Sequence, residues 1–471
     1  MLPRRYHSGE RKSSFETYEK KDQQYNLSAT GEIASRPWTL KPTASKYSFL
    51  GTDHAGQTYT TPSMDEVILI LKSGRSTPAD RLEAQLATFA SSKYGRTPQN
   101  TLIVSDSNKT VVADGYEWNV VDVVARLSHL PQITESEKYK VYMQQNALAD
   151  AKQSTTTSDP PGSNNAGWTL DALKFLPAYS LAAEMFPNAK WFVGLDDDNY
   201  LFWDSLLEFL ALLDHNEKLY IGSPSWLVAN NVKFIHGGSV TISSRAAIRA
   251  RFIDSAAELD KFHKAATELC CGDGVLAMAY AEAGIQPNDK FSDLFNGENL
   301  STARVTFQNV CKPVMGLHHL MGKDISAVQK YLASKDLMEK RRTHSVTEWG
   351  DILEMKDRNI LKQLQQPGGL VDWDFMQLSD NTEKIAVAWE ADKSVEVCQS
   401  TCQYNPEKCL AWTYLADKQE CWISPYVVGG KSVSGSTSGI NMKRVKEIQA
   451  SCSEHDWRKA VLRKATNSPF P

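Results

Sequence analysis

Three consecutive aspartates, Asp196, Asp197 and Asp198, directly follow the apolar run 191–195 in the stretch WFVGLDDDNYLFW. Carboxylates this close raise one another's pKa, so such a cluster calls for a cation or a set of hydrogen-bond donors. Two of these carboxylates could bind a hard divalent cation and leave it positions for water and phosphate. The alternative is that Asp198 or Asn199 caps a following helix. An EF-hand is excluded, because its glycine and its acidic spacing are missing.

Three further stretches contain residue types that suit such a site. FIHGGSVTISSRAAI places Gly237 and Gly238 ahead of a strand-like segment, where a backbone can approach a ligand closely, although an ordinary turn would also use them. Asp273 stands just before the helical pattern of CCGDGVLAMAYAEAGI and could act on a substrate or serve as an N-cap. His318 and His319 follow an apolar run. Imidazole and carboxylate together suit Mn²⁺, whereas a structural histidine is the alternative.

The elements that must position these residues are predicted to alternate between strands and helices. The runs DEVILILKSG, NTLIVSDS and WFVGL predict short buried strands. TPADRLEAQLATFA predicts a helix with Thr77 as its N-cap and Pro78 in its first position. A second helix, bent at Pro177, is predicted before WFVGL, and a third from Trp203. This alternation predicts an α/β domain with a largely parallel sheet, whose ligands lie beyond the carboxyl ends of the strands.

Composition excludes several classes of protein. The chain has 471 residues, of which 41% are hydrophobic and 23% charged, which allows a sizeable core and two or three units. The formal net charge of −4 argues against a nucleic-acid-binding protein. The sequence contains no run of about 18 apolar residues, so it predicts no membrane span. The first residues lack the apolar region of a signal peptide.

The cysteines indicate an oxidising compartment. Four of the eight crowd into a short segment near the C-terminus: Cys398, Cys402, Cys409 and Cys421. Their spacings lack the pairs typical of zinc sites, and no histidine lies between them, so disulfides are favoured over zinc. Disulfides imply the secretory pathway. We therefore expect any membrane attachment to occur through an N-terminal anchor that is not seen in this chain.

Taken in order, these stretches resemble the fringe-like β1,3-glycosyltransferases, the group that includes core 1 galactosyltransferase. WFVGLDDDNYLF is similar to the family's tryptophan-led strand that ends in Asp-Asp-Asp-Asn-Tyr, HGGSVTISSRAA to its Gly-Gly segment, and CGDGVLAMAYAEAGI to its acidic helix start. LHHL occupies the place of its late histidine, and VILILKSGRSTPADRLEAQLATF and TLIVSDS resemble its first elements. The resemblance covers roughly residues 65–325. It departs at Asp273, where the family often has two acids, and at His236, where it often has a smaller residue.

The resemblance implies a GT-A (Rossmann-like) fold and an inverting transfer from a UDP-sugar donor to a glycan or glycoprotein acceptor in the Golgi. It implies Mn²⁺ or another divalent cation, which stabilises the charge on leaving UDP. The implied metal ligands are Asp198, His318 and His319. Asp196 and Asp197 would orient ribose and cation, and Asp273 would be the base that takes the acceptor's proton. Gly237 and Gly238 would lie at the acceptor. Four further donor-binding candidates lie at or near strand ends: Ser73, Arg75, Arg81 and Asp106.

The cysteine-rich segment VAWEADKSVEVC to YVVGG resembles a PAN/apple module, a small disulfide-rich α+β domain. The resemblance implies the pairs Cys398–Cys421 and Cys402–Cys409. Such modules bind protein or carbohydrate, so this one could hold the acceptor; a passive stabilising cap is the alternative. The predicted organisation is a stem-like extension (1–62), a transferase domain (63–345), a linker (346–382), the module (383–447) and a C-terminal tail (448–471).

Two other functions compete with the transferase. A non-catalytic glycan-binding protein could retain a degenerate transferase domain, but the triplet, Asp273 and His318 occur together, which argues against it. A metal-dependent phosphoesterase would need more histidine and aspartate ligands near the strand ends than the sequence offers.

Overall fold

The computed structural model describes ten stretches of the chain: residues 50–52, 58–91, 94–155, 166–227, 231–339, 346–355, 368–378, 387–389, 394–452 and 454–466. Most of the extension predicted for residues 1–62 lies outside them. Within it, β1 (Leu50–Thr52) and β2 (Thr58–Thr60) form an antiparallel pair. None of the helices in the described stretches has the length and apolar character needed to span a membrane.

Seven strands form the central sheet of the larger domain: β3 (Val67–Lys72), β4 (Thr101–Ser105), β5 (Lys109–Ala113), β6 (Tyr116–Asp122), β7 (Trp191–Asp196), β9 (Tyr220–Ile221) and β12 (Thr241–Ser244). Their order is β5-β6-β4-β3-β7-β12-β9. The four central strands β6, β4, β3 and β7 are parallel, whereas β5 and β12 run antiparallel to their neighbours. The predicted α/β fold with a largely parallel sheet is therefore confirmed.

Helices cover both faces of this sheet. The described helices of this domain are α1 (Ala79–Ser91), α2 (Pro131–Thr134), α3 (Glu137–Asp150), α4 (Ala166–Asp171), α5 (Phe175–Met185), α6 (Trp203–Ala211), α7 (Arg245–Ile248), α8 (Asp260–Glu268), α9 (Gly272–Glu282), α10 (Gly322–Glu339) and α11 (Trp349–Met355). Of these, α10 packs on α1 and α11 rather than on the sheet. In β3, Ile68 and Ile70 pack in one apolar cluster with α5 and α9, and Leu69 and Leu71 pack in another with α1 and α6. Successive side chains of a strand point to opposite faces, so burial on both faces explains the continuous apolar run.

Two details of the helices differ from the sequence prediction. The helix expected to bend at Pro177 is two helices, since α4 ends at Asp171 and α5 begins at Phe175. Pro177 lies in the first turn of α5, where its missing N–H costs no hydrogen bond. Thr77 was expected to cap α1, but its hydroxyl lies 2.8 Å from the carbonyl oxygen of Gly74 and 3.0 Å from a carboxylate oxygen of Asp197.

Two short strand pairs shape the edge of the sheet where β3 and β7 end. β8 (Tyr200–Leu201), one residue after the acidic triplet, pairs with β14 (Gly316–Leu317), directly before the two histidines. This pairing brings distant parts of the sequence together. The hairpin of β10 (Pro224–Leu227) and β11 (Val232–Ile235) ends immediately before His236.

In the described part of the C-terminal module, a helix packs on a five-stranded antiparallel sheet. Its elements are β15 (Leu370–Asp374), β16 (Val387–Trp389), α12 (Val395–Tyr404), β17 (Ala411–Leu415), β18 (Glu420–Ser424) and β20 (Lys431–Ile440). Disulfides join Cys398 to Cys421 and Cys402 to Cys409, the two pairs that the resemblance implies. The segment expected as a linker, 346–382, contains α11 and β15, and β15 pairs with β20. The module's sheet therefore begins before residue 383.

Strand pairing and apolar contacts join the module to the larger domain, and a disulfide joins that domain to the segment after the module. β13 (Val305–Thr306) pairs with β19 (Tyr426–Val427), and Cys311 is bonded to Cys452. One apolar cluster contains residues of both parts: Val305, Val310, Leu353, Phe375, Leu410, Val427 and Val445.

The expected C-terminal tail is also structured. After α13 (Met442–Ala450), α14 (Glu454–Thr466) packs back on the larger domain. Trp457 joins the apolar cluster around α6, and Arg458 binds Glu208 at 2.5 Å.

Candidate active site

A cavity of about 330 Å³ opens at the carboxyl ends of β3 and β7, the edge of the sheet where ligands were expected. The predicted residues that line it are Ser73, Arg81, Asp196, Asp197, Asp198, Gly237, Gly238, Asp273, His318 and His319. Arg75 and Asp106 are not among its described lining residues. Buried Asp106 accepts a hydrogen bond from the backbone N–H of Arg75 at 2.9 Å and so ties the loop after β3 to the end of β4.

Asp198, His318 and His319 form a cluster that could hold a metal ion. Each offers one ligand atom, and these atoms all lie within 4.8 Å of one another. The β8–β14 pairing positions them, and Asp198 Oδ1 lies 3.3 Å from His318 Nε2. One carboxylate and two imidazoles suit Mn²⁺ and related divalent ions. Capping is excluded as the role of Asp198 or Asn199, because the N-cap of α6 is Phe202 and no side chain caps it.

The carboxylates of Asp197 and Asp198 differ in their proton affinity. Burial opposes ionisation of Asp198, but the hydrogen bond and charge of His318 and the charge of Arg81 outweigh it and lower its pKa to about 2. Burial and the charge of Asp198 raise the pKa of Asp197 to about 6, against a hydrogen bond from Ser73 at 2.6 Å. Arg81 Nη1 lies 3.6 Å from Asp198 and 3.8 Å from Asp197. The triplet's expected need for donors and cations is therefore met by the protein itself.

Asp273 follows the triplet in the sequence and lies at the start of α9. It is the second residue of the helix, whose N-cap is Cys271, so the N-cap alternative for Asp273 is wrong. Its two oxygens accept hydrogen bonds from the backbone N–H groups of Gly237 at 3.0 Å and Gly274 at 2.8 Å. Burial outweighs these bonds and raises the pKa of Asp273 to about 6. The carboxylate is thus mostly ionised at neutral pH, yet more basic than an exposed aspartate.

The glycine pair is required by close packing. A Cβ at Gly238 would collide with the ring of His318, and a Cβ at Gly237 would lie 2.9 Å from the ring of Phe175. The side chain of Asn199 also donates to the carbonyl oxygen of Gly238 at 2.5 Å. The pair therefore links the triplet loop, the Asp198–His318–His319 cluster and Asp273, which an ordinary turn would not need to do.

Comparison with known families decides the identity of this domain. The Fringe-like family model matches residues 63–312, which is 250 of the 471 residues. The chain belongs to the Fringe-like family. A PAN domain model matches residues 375–440. No individual curated protein matches the chain.

The family assignment gives the cavity a general function. Fringe-like proteins are glycosyltransferases of the secretory pathway that generally depend on a divalent cation. The cluster of Asp198, His318 and His319 provides a possible site for such an ion. A sugar donor and a glycan acceptor follow for the family in general.

The Fringe-like domain also contains site residues that the sequence analysis missed. Lys72 Nζ lies 2.8 Å from Asp196 Oδ1 and 2.5 Å from Asp171 Oδ1. Burial opposes its charge, but the two carboxylates outweigh burial and raise the pKa of Lys72. Lys174 donates to the carbonyl oxygen of Ser73 at 2.9 Å. The sequence offered one signal for the Lys72–Asp196 pair, namely a charged residue at the end of each of two apolar strands. The two residues meet because they are paired in the parallel register of β3 and β7.

A disulfide between the adjacent residues Cys270 and Cys271 lines the cavity of the Fringe-like domain, directly before α9. The sequence showed the adjacent cysteines, but their spacing alone indicated no partner. The disulfide closes a small covalent ring two residues before Asp273. It therefore restricts the backbone at the helix start that presents this carboxylate.

Proposed function

We propose that the protein is an inverting, Mn²⁺-dependent glycosyltransferase. It moves a hexose or N-acetylhexosamine from a UDP-sugar to a hydroxyl of a glycan or glycoprotein, with a β1,3 linkage, in the Golgi lumen. One observation carries the proposal: in a Fringe-like domain, the Asp198–His318–His319 cluster and the Asp273 carboxylate open into the same cavity.

Donor binding is assigned to the half of the cavity formed by β3, α1 and the triplet. The side chains of Asp198, His318 and His319 would hold the cation, which would neutralise the charge on the leaving UDP. Arg81 adds a fixed positive charge beside the carboxylates of Asp197 and Asp198. Ser73 and Thr77 hold Asp197 in place, and Lys72 holds Asp196, so these carboxylates can orient the ribose and the cation.

Acceptor activation is assigned to Asp273. The acceptor hydroxyl gives its proton to the carboxylate while its oxygen forms a bond to the anomeric carbon. The bond from that carbon to the phosphate oxygen breaks, and UDP leaves with the electron pair. Gly237 and Gly274 orient the carboxylate through their N–H groups. A pKa of about 6 leaves Asp273 ionised at neutral pH and able to accept a proton.

A non-catalytic glycan-binding protein remains the alternative function. A degenerate domain would be free to lose a metal ligand, the base or the arginine, because selection on them would have ended. All of them are present and converge on one cavity. This convergence supports the enzyme.

The proposal is tested by the release of UDP from UDP-galactose, UDP-N-acetylglucosamine and UDP-glucose. We expect the full chain to release UDP from at least one donor with Mn²⁺, and EDTA to abolish the release. Asp198→Asn should remove Mn²⁺-dependent UDP binding in calorimetry, because a neutral amide is a poor ligand for a hard cation. Asp254→Asn, an exposed aspartate paired with Arg249, is the matched control and should bind normally. Lack of Mn²⁺-dependent binding and UDP release for all three donors would contradict the proposal.

A further inference from the structure

His236 occupies the position between β11 and the glycine pair, where the resemblance leads one to expect a smaller side chain. Its backbone is held on both sides: its N–H donates to Ser223 at 2.9 Å, and its carbonyl oxygen accepts from the Ser239 hydroxyl at 2.7 Å. The next residue, Gly237, donates to Asp273. The location of the imidazole is therefore set by the same turn that orients the candidate base.

The ring of His236 lies beside that of His318, a member of the Asp198–His318–His319 cluster. Its centroid is 5.5 Å from that of His318, and the planes meet at 70°. Gly297 makes room for it, because a Cβ at that glycine would lie 3.3 Å from His236 Nδ1. The ring is half-buried and lines the cavity together with Asp198 and Asp273.

The nitrogens of this ring have no hydrogen-bond partner among the described residues, although those of its neighbour do. His318 Nδ1 lies 3.3 Å from the carbonyl oxygen of Gly297, and its Nε2 lies 3.3 Å from Asp198. His236 is also outside the group of ligand atoms that lie within 4.8 Å of one another. A polar side chain that lines a binding cavity without a protein partner can bind a ligand there.

We propose that the imidazole of His236 binds a hydroxyl group of a sugar substrate at the junction of the metal site and Asp273. This inference rests on the proposed glycosyltransferase function. A neutral imidazole has one donor and one acceptor nitrogen, so it can bind a hydroxyl in either sense. The hydroxyl belongs either to the donor sugar or to the acceptor sugar, and both present the same chemistry. His236 then acts as a specificity residue, because a sugar without that hydroxyl, or with it in another orientation, loses the bond.

The test compares the full-length wild type with His236→Ser and His236→Gln. Calorimetry measures Mn²⁺–UDP binding, and steady-state kinetics follow UDP release from the three UDP-sugars, with water or with p-nitrophenyl glycosides as acceptors. We expect both variants to bind Mn²⁺–UDP as the wild type does. His236→Ser should raise KM by about three- to tenfold for the sugar that makes the bond. His236→Gln keeps a donor and an acceptor and should recover most of this loss.

The two arms distinguish the source of the hydroxyl. A KM change with water as acceptor assigns the bond to the donor sugar, and a change seen only with glycosides assigns it to the acceptor. The exposed His129, changed to serine, is the matched control and should have no effect. Thermal melts establish that each variant folds.

Two results would overturn the inference alone. One is identical kinetics of the wild type and both variants in every reaction that the wild type catalyses. The other is a loss of Mn²⁺ affinity in His236→Ser, which would make His236 a metal ligand. A wild type that neither binds Mn²⁺–UDP nor releases UDP would instead overturn the proposed function, and this inference with it.

Discussion

Aspartates that line the same cavity differ in their chemistry because their partners differ. Asp198 has a lowered pKa because His318 and Arg81 face it, which suits a metal ligand. The hydrogen-bond partners of Asp273 among the described residues are backbone N–H groups, and burial raises its pKa to about 6. A carboxylate that must accept a proton benefits from such a rise, whereas a metal ligand does not. The environments thus separate the two roles assigned to these carboxylates.

The first prediction is a decline of transfer rate in acid that reflects Asp273. Only the ionised carboxylate can accept the acceptor's proton, so kcat/KM should fall about tenfold per pH unit below a pH of about 6. Transfer rates and Mn²⁺–UDP affinity are measured together at each pH, because the pKa of Asp197 is also about 6. A rate that falls while affinity holds identifies Asp273. A rate that is constant down to about pH 4.5 would contradict its role as the base.

The same pKa predicts how stability depends on pH. The pKa of folded Asp273 lies above its value in the unfolded chain, so its contribution to stability is complete at low pH and is lost as pH rises through about 6. Asp273→Asn removes this decrease in the free energy of unfolding, because asparagine does not ionise. The free energy of unfolding of the variant, relative to wild type, should therefore increase by on the order of 1 kcal/mol between about pH 5 and pH 7.5. Chemical denaturation at both pH values measures it, and a difference independent of pH would contradict the raised pKa.

At the scale of elements, the long apolar patterns were predictable and the short pairings were not. The strands β3, β4 and β7 and the helix α6 lie where their apolar runs place them. The β8–β14 pair has only two residues in each strand, too few for a periodic signal, yet it determines where the histidines meet Asp198. The break between α4 and α5 lies just before Pro177, which fits only in the first turn of a helix, so the proline was the signal for a new helix start rather than for a bend. The ion pair of Lys72 with Asp196 depended on strand register, which sequence alone does not provide.

A second substitution tests the packing of the glycine turn on the Asp198–His318–His319 cluster. In Gly238→Ala, the new Cβ would collide with the ring of His318. We expect the ring to move and Mn²⁺–UDP affinity to fall at least about tenfold, since a displacement near 1 Å at such a site is costly. Gly274→Ala is the matched control, because its Cβ would lie 3.6 Å from Leu227 in ordinary contact. Calorimetry compares the two, and equal affinities would contradict this role of Gly238.

At the scale of the whole molecule, the PAN module and the Fringe-like domain are joined by strand pairing and by a shared apolar cluster. Strands β13 and β19 pair across the junction, and the shared apolar cluster buries side chains of both parts. These contacts support the stabilising role that the sequence left open beside acceptor binding. They give no direct support to a role in holding the acceptor.

The disulfide between the Fringe-like domain and the segment after the PAN module should contribute strongly to stability. Cys311 and Cys452 are 141 residues apart, so their bond restricts the unfolded chain more than Cys402–Cys409, which spans 7. Replacing the first pair by alanines should lower the free energy of unfolding by roughly 3–5 kcal/mol, and the second pair by roughly 2–3 kcal/mol. Denaturant unfolding measures both. A smaller loss for the Cys311–Cys452 pair would contradict the view that this long-range cross-link is a main source of stability.

The central claim is that this cavity catalyses sugar transfer with Asp273 as its base. The most direct test is the turnover of Asp273→Asn with a UDP-sugar that the wild type uses, measured beside Mn²⁺–UDP binding. Asparagine preserves the size of the side chain and one acceptor oxygen, but it cannot take up the proton. We predict normal folding, unchanged Mn²⁺–UDP affinity and a turnover reduced on the order of a hundredfold or more. Near-normal turnover of this variant would contradict the account.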